Sequence, residues 1–325
     1  MGNKKMIDTS STADISTVGP KLSSLRKQLN EVLIGKSDVV EMIITCLIAN
    51  GHLLFDDLPG LGKTTVAKAL AQSMGGRFSR VQCTPDLLPT DITGFNILDQ
   101  ETQTFEFQKG PVFSDFLLAD EINRATPRTQ SALFEAMAER QVTVDNRTIP
   151  LPDSFMVIAT QNPVESHGAY PLPEAQLDRF AMKLNIGYPQ RSDEIMMLGN
   201  SVGNQTDTSP VYPVLDLKDL KSIQAAVANV EVCEAVRGYL VDLGAATRQH
   251  PEIELGLSPR GLLLWLRVAQ AWASLDDRSY VIPEDVQAMI FPVLSVRVAG
   301  QRSETDAIFQ EIIESVPVPN ERTQK

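Results

Sequence analysis

The stretch Leu53-Leu54-Phe55-Asp56-Asp57-Leu58-Pro59-Gly60-Leu61-Gly62-Lys63-Thr64-Thr65 decides the fold. Its apolar opening reads as a buried strand and residues 65–74 read as a helix, so the glycine-bearing segment between them is a strand-to-helix turn. In such a turn Gly60 and Gly62 let backbone N–H groups close on phosphate oxygens with no Cβ in the way. Lys63 sets an ammonium against the β and γ phosphates, Thr64 offers a hydroxyl to Mg²⁺, and Pro59, Leu61 and Thr65 complete the loop. The ligand implied is a nucleoside triphosphate with magnesium. Such loops open with glycine, and here Asp57 stands in that place, which leaves the first backbone turn unexplained but removes no group that touches phosphate. A glycine turn serving only as punctuation would not account for Lys and Thr following in register.

Outward from the loop, residues 22–32 form an amphipathic helix, and Ile34-Gly35-Lys36 turns toward Ser37 or Asp38 as an N-cap. A second helix follows with Val40, Ile44, Leu47 and Ile48 at helical spacing, closing on a left-handed Gly51. Downstream, residues 78–82 alternate like a strand. Residues 84–110, with Pro85, Pro89 and the alternating Thr104-Phe105-Glu106-Phe107, read as an insertion with a hairpin. Phe116-Leu117-Leu118-Ala119 is a continuous apolar run ending in Asp120-Glu121, as suits a central parallel strand covered on both faces. A helix at 128–139, a hairpin around Asp145-Asn146-Arg147, and strands at 155–160 and 181–186 complete an alternation that predicts a doubly wound parallel α/β sheet. Its ligand belongs at the carboxyl ends of the strands.

The composition shifts at Gly187-Tyr188-Pro189. Beyond it only helical patterns occur, at 193–198, 217–227, 232–247, 259–273 and 283–289, with 200–209 a polar loop. The expected division is a loose tail over 1–20, a nucleotide-binding α/β domain over 21–188, a helical domain over 189–315 and a tail over 316–325, the last twenty residues being charged and proline-bearing.

A chain of 325 residues with 43% apolar content can bury a core in each of two domains. Its formal charge of −12 argues against a broad surface for a phosphate backbone and favours protein partners over nucleic acid. Cys46, Cys83 and Cys233 are scattered and odd in number, so neither a disulfide framework nor a zinc site is expected and a cytoplasmic location fits. His52, His167 and His250 are equally dispersed and read as surface or capping residues. No apolar stretch is long enough to span a bilayer, since residues 39–48 are broken by Glu41. The opening Met-Gly-Asn-Lys-Lys-Met lacks the hydroxyl residue of a myristoylation site, and no signal-peptide core follows.

A carboxylate at the tip of a buried strand beside a phosphate loop is the usual second Mg²⁺ anchor, and Asp120 fits that place. Successive side chains of a strand diverge, so Glu121 is left to orient and deprotonate the attacking water. The plainer alternative is a solvated acidic strand end preceding a helix.

Gly110-Pro111-Val112-Phe113, Leu118-Ala119-Asp120-Glu121-Ile122-Asn123-Arg124-Ala125, Thr160-Gln161-Asn162-Pro163 and Tyr170-Pro171-Leu172-Pro173-Glu174-Ala175-Gln176-Leu177-Asp178-Arg179-Phe180 together resemble the MoxR group of AAA+ ATPases, of the helix-two-insert clade. The match runs from about Leu33 to Ser258-Pro259-Arg260 in the family's order. The resemblance implies a P-loop AAA+ core with a five-stranded parallel sheet and an all-α lid, ATP and Mg²⁺ as cofactors, ATP hydrolysis to ADP and phosphate, and a homo-oligomer that is usually a hexameric ring. It also implies chaperone work on other proteins, with von Willebrand factor A domain proteins as partners.

By the same resemblance Asn162 is the first sensor, which holds the nucleophilic water, against the alternative of ordinary Asn-Pro turn chemistry. Arg179 corresponds to the arginine finger that reaches a neighbouring subunit's γ-phosphate; the alternative is an ion pair with Asp178 or Glu174. Arg260 matches the second sensor at the start of a lid helix, with an exposed helix-start arginine as the competing reading. Leu33-Ile34-Gly35 matches the adenine contact or is plain core. Residues 99–107 correspond to the family's insertion and 141–151 to the hairpin before the first sensor, elements that face the pore in such rings or else pack on the domain surface. Phe105 and Phe107 would project from one side, and Arg124 lies at a subunit interface or is solvated. A nucleic-acid motor related to replicative helicases or RuvB-like proteins shares these parts, but the insertion at 99–109 carries three acids against one lysine. A nucleotide-gated scaffold with little turnover is opposed by intact Glu121, Asn162 and Arg179.

Overall fold

The computed structural model describes residues 18–145, 147–163, 170–201, 211–297 and 302–319. Residues 1–17 of the expected N-terminal tail over 1–20, Asn146, His167, most of the polar loop at 200–209 and the final residues 320–325 lie outside them, while residues 18–20 open the first helix rather than continuing the tail.

Two helices precede the first strand. Helix α1 (Val18–Val32) buries Leu22, Leu25 and Leu29 along one stripe, and α2 (Ser37–Ile48) buries Val40, Ile43, Ile44 and Leu47. Two details of α2 differ from expectation. The helix starts after Lys36 with no side-chain cap rather than on Ser37 or Asp38, and the left-handed residue beyond its end is Asn50, with φ of 57°, not Gly51. Asparagine tolerates that conformation. Glycine is needed at 51 for space, because a Cβ there would lie 2.5 Å from the Cβ of Ala181.

Strand β1 (Leu53–Asp56) leads through the phosphate loop into α3 (Lys63–Ser73), then β2 (Phe78–Gln82) and the short α4 (Pro89–Thr93). The insertion is an antiparallel hairpin of β3 (Gly94–Leu98) and β4 (Phe105–Lys109), on which Phe107 packs edge-on against Phe113 while Phe105 is 69% exposed. Strand β5 (Phe116–Asp120), helix α5 (Pro127–Glu139), a second hairpin of β6 (Gln141–Val144) and β7 (Arg147–Pro150), strand β8 (Met156–Gln161), helix α6 (Glu174–Leu177) and strand β9 (Met182–Leu184) complete the α/β part. Five strands form one sheet in the order β2-β5-β8-β1-β9, every pairing parallel, as the fold class requires. The register is level at the carboxyl edge: Gln82 faces Asp120 and Asp56 faces Gln161.

The rest is helical: α7 (Arg191–Ser201), α8 (Leu217–Ala228), α9 (Glu234–Gln249), α10 (Pro259–Leu275), α11 (Pro283–Ala288), α12 (Ile290–Leu294) and α13 (Arg302–Ser315). Half of the last twenty residues therefore belongs to α13, whose Ile308, Phe309 and Ile312 are buried. Strand alternation divides the core between the two faces of the sheet, with Leu53 and Phe55 on one and Leu54 on the other. The first face shares a continuous apolar cluster with the helices, running from Leu25 and Ile44 through Leu70 and Phe116 to Leu243, Trp265 and Phe309. The helical part thus packs onto α1, α2 and the sheet instead of enclosing a separate core. Among the described residues no helix is long and apolar enough to cross a membrane.

Candidate nucleotide site

The level strand ends and the phosphate loop enclose a cleft of about 1170 Å³. Leu33, Ile34, the loop from Pro59 to Thr65, Asp120, Glu121 and Asn162 all line it. Gly35 stands just outside the lining, and Leu33 serves both readings at once, since it faces the cleft and is 6% exposed within the core.

Gly60 and Gly62 take φ of 86° and 89°, a conformation that a side chain would strain. Helix α3 then begins at Lys63 with no side-chain cap, leaving its first-turn N–H groups to an anionic ligand. The Lys63 ammonium donates to the carbonyls of Asp57 at 2.7 Å and Leu58 at 2.6 Å. Burial draws it below the usual lysine range, while Asp57, Asp120, Asp56 and Glu121 pull the other way.

Asp57 has a structural job that glycine cannot do. Its Oδ2 accepts the backbone N–H groups of Ile186 at 2.6 Å and Gly187 at 2.8 Å, and Oδ1 accepts that of Leu58 at 2.9 Å. The carboxylate ties the phosphate loop to the segment leading into the helices, and Ile186, Gly187, Tyr188 and Pro189 of that segment line the cleft.

Thr160, at the end of β8, organises the acidic pair. Its hydroxyl donates to Asp120 Oδ1 at 2.6 Å and accepts the Glu121 N–H at 2.8 Å. Glu121 adopts φ of 55°, so the chain turns sharply and the two carboxylates part. Asp120 Oδ2 accepts Arg80 Nη2 at 2.7 Å, and Glu121 Oε2 accepts Gln82 Nε2 at 3.0 Å and Arg124 Nη1 at 2.9 Å. Arg80, Gln82 and Thr160 escaped sequence reasoning. A signal existed for the first two: they alternate along β2, so they share the face on which a neighbouring strand ends in acids.

The structure does not bring every candidate into the cleft. Arg179 lies outside the lining and donates to the backbone carbonyls of Phe134 and Ala175, both at 2.9 Å, rather than to Glu174 or Asp178. Asp178 is taken by Arg297 and Ser258, each at 2.7 Å. Arg260 is exposed at the start of α10, also outside the lining, and near enough to Arg297 and His52 to bear on their charge.

Family models match the chain in two places: the ATPase family associated with various cellular activities (AAA) over residues 52–182 and an AAA lid domain over 245–316. The chain is 44% identical to the uncharacterized protein YeaC of Bacillus subtilis over 313 residues, which covers 94% of this chain and 97% of that one. It is 38% identical to Chaperone MoxR1 of Mycobacterium tuberculosis over 308 residues, 90% of this chain and 81% of that one. A crystal structure of a candidate ATPase from Cytophaga hutchinsonii superposes with a TM-score of 0.85 at 36% identity, covering 94% of this chain and 97% of that one.

Proposed function

The chain belongs to the MoxR family of AAA+ ATPases, and from that premise we propose that it binds ATP with Mg²⁺ in this cleft, hydrolyses it to ADP and phosphate, and couples the cycle to remodelling of partner proteins as a ring-forming chaperone. The observation that carries the reading is the convergence of Lys63, Asp120, Glu121 and Asn162 on one cleft at the sheet's carboxyl edge.

Lys63 exchanges the two loop carbonyls for the β and γ phosphates. The hydroxyl of Thr64 and the carboxylate of Asp120 are the oxygen donors that Mg²⁺ prefers, and the ion supplies charge neutralisation on the phosphates. Glu121 Oε2, once released by Gln82 and Arg124, takes the proton of a water that Asn162 holds in line. The water oxygen bonds to the γ-phosphorus as the bond to the bridging oxygen breaks, leaving ADP and inorganic phosphate. Arg179 and Arg260 lie outside their own cleft and act on that of an adjoining protomer in a ring, a hexamer by family resemblance. There the guanidinium groups meet the charge that develops on the transferring phosphoryl group.

Resemblance to the family also makes von Willebrand factor A domain proteins the partners to test, and the exposed Phe95 and Phe105 of the β3–β4 hairpin suit a protein client better than a phosphate backbone. A cytoplasmic location agrees with the free Cys46, Cys83 and Cys233. The direct test is Glu121→Gln, which should keep ATP binding and lower phosphate release by about a hundredfold or more. Turnover that persists in this variant would remove Glu121 from the mechanism.

A further inference from the structure

Asp178 stands between the two arginines that lie outside the cleft. It follows α6 directly and precedes Arg179, and both of its oxygens are engaged by the helical part. Oδ1 accepts Arg297 Nε at 2.7 Å, and Oδ2 accepts the Ser258 hydroxyl at 2.7 Å. Ser258 passes the contact on, because its oxygen also accepts the N–H of Gly261 at 2.9 Å and so caps the turn of α10 that carries Arg260. A continuous series of bonded groups therefore leads from Arg179 through Asp178 and Ser258 to Arg260.

Arg297 is committed to this contact. Its side chain is 6% exposed, its ion pair is with Asp178, and its other donors reach the carbonyls of Val293 at 2.7 Å and Phe180 at 3.4 Å. Burial lowers its pKa while Asp178 opposes the shift. The approach is close enough to demand glycine, since a Cβ on Gly261 would come within 2.9 Å of Arg297 Nε. A buried ion pair adds little net stability, because desolvation offsets most of the attraction; what two charge-assisted bonds do well is impose one geometry.

We infer that Asp178, held by Arg297 and Ser258, is a positioning residue that sets Arg179 and Arg260 as one rigid two-arginine unit for a neighbouring protomer's nucleotide. The inference rests on the reading that these arginines act between subunits. A joint that merely joined two parts of the fold would need no particular relation to Arg179; here the carboxylate is one residue from one arginine and one hydroxyl from the helix start of the other.

The test uses the full chain, two variants of the contact and two reference variants. Asp178→Asn with Arg297→Met removes both charges together, so no buried ion is stranded, and Ser258→Ala cuts only the hydroxyl link. Phosphate release, binding of a fluorescent ADP and thermal unfolding are measured for each variant alone and in equimolar mixture with Lys63→Ala, which lacks a working loop but keeps its arginines. Arg179→Ala is run beside them. Alone, the double variant should bind ADP normally and lose turnover by about a hundredfold, as expected when reacting groups shift by an ångström, with a smaller loss for Ser258→Ala. In the mixtures both should recover as Arg179→Ala does, because intact arginines arrive from Lys63→Ala subunits. Unchanged turnover, or recovery of Arg179→Ala without recovery of these variants, overturns the positioning role alone. Failure of Arg179→Ala itself to recover overturns the between-subunit reading and the positioning role with it.

Discussion

The cleft and the face bearing Arg179 hold their charged groups in opposite ways. In the cleft the groups proposed for catalysis are each engaged by a protein group that a bound nucleotide would have to displace: Lys63 by two carbonyls, Asp120 by Arg80, Glu121 by Gln82 and Arg124. The arginine partners of the two acids are solvent-accessible, with the Arg80 side chain 48% and the Arg124 side chain 41% accessible, so exchange there costs little. At Asp178 the partner is a buried arginine with no competing ligand in reach. On the proposed mechanism the contrast separates groups that must let go in each turnover from groups that must not. It also orders the consequences of breaking them.

The largest loss of stability is expected on the fixed side. Arg297→Met strands the Asp178 carboxylate against the helical part and should lower unfolding free energy by about 3 kcal/mol in urea titrations. Loss of a few tenths would mean that water already satisfies the pair.

His52 extends the fixed side to the other end of β1. Its ring accepts the Val157 N–H at 3.0 Å through Nδ1 and meets the Met137 carbonyl at 3.3 Å through Nε2. Burial, with Arg140 adding to it, pushes its pKa down to about 3 from 6.5. The folded chain keeps this imidazole neutral, so below pH 6.5 only the unfolded chain gains the proton. The stability present above that pH is then lost toward pH 3, by about 1.4 kcal/mol per unit. The difference in stability between the natural chain and His52→Gln, followed from pH 7 to 5, should show that slope; parallel curves would place the imidazole in contact with water.

Asp57 lies between the two regimes, since it is 7% exposed yet borders the cleft. Asp57→Gly restores the usual loop residue and frees the N–H groups of Ile186 and Gly187, which water entering from the cleft can partly satisfy. About 1 kcal/mol of stability should be lost, with a raised KM for ATP and little change in kcat. An unaltered KM would separate this carboxylate from nucleotide binding.

The same division explains what could be read from the sequence. The sheet was legible because β5 and β8 are continuous apolar runs, and the loop because its Gly, Lys and Thr are adjacent; local patterns need no partner. Helix α13 was not, since its apolar residues sit between the mixed charges of Arg302, Glu304 and Asp306 and the prolines Pro317 and Pro319. Gly51 misled because glycine answers two needs, backbone conformation and close approach, and only the position of Ala181 decides between them. The Asp178 contact joins residues 119 positions apart, so no spacing rule could find it. Whether Arg260 lines the cleft depends on how α10 packs, on α2 among others, which is tertiary information.

The smallest stability effect belongs to Arg80, and it discriminates best between the two regimes. Arg80→Ala breaks a pair that is half in water, so the unfolding free energy should change by less than about 1 kcal/mol. The same change removes the cation that pairs with Asp120, the carboxylate proposed for magnesium. If the arginine is only a place-holder, nucleotide binding in the variant should reach half-saturation at lower Mg²⁺ than in the natural chain. If Arg80 instead follows the phosphates once they bind, the variant should need more Mg²⁺. Titrating Mg²⁺ at fixed fluorescent ADP separates the two, because the sign of the shift, not its size, reports whether Arg80 leaves the site or joins it.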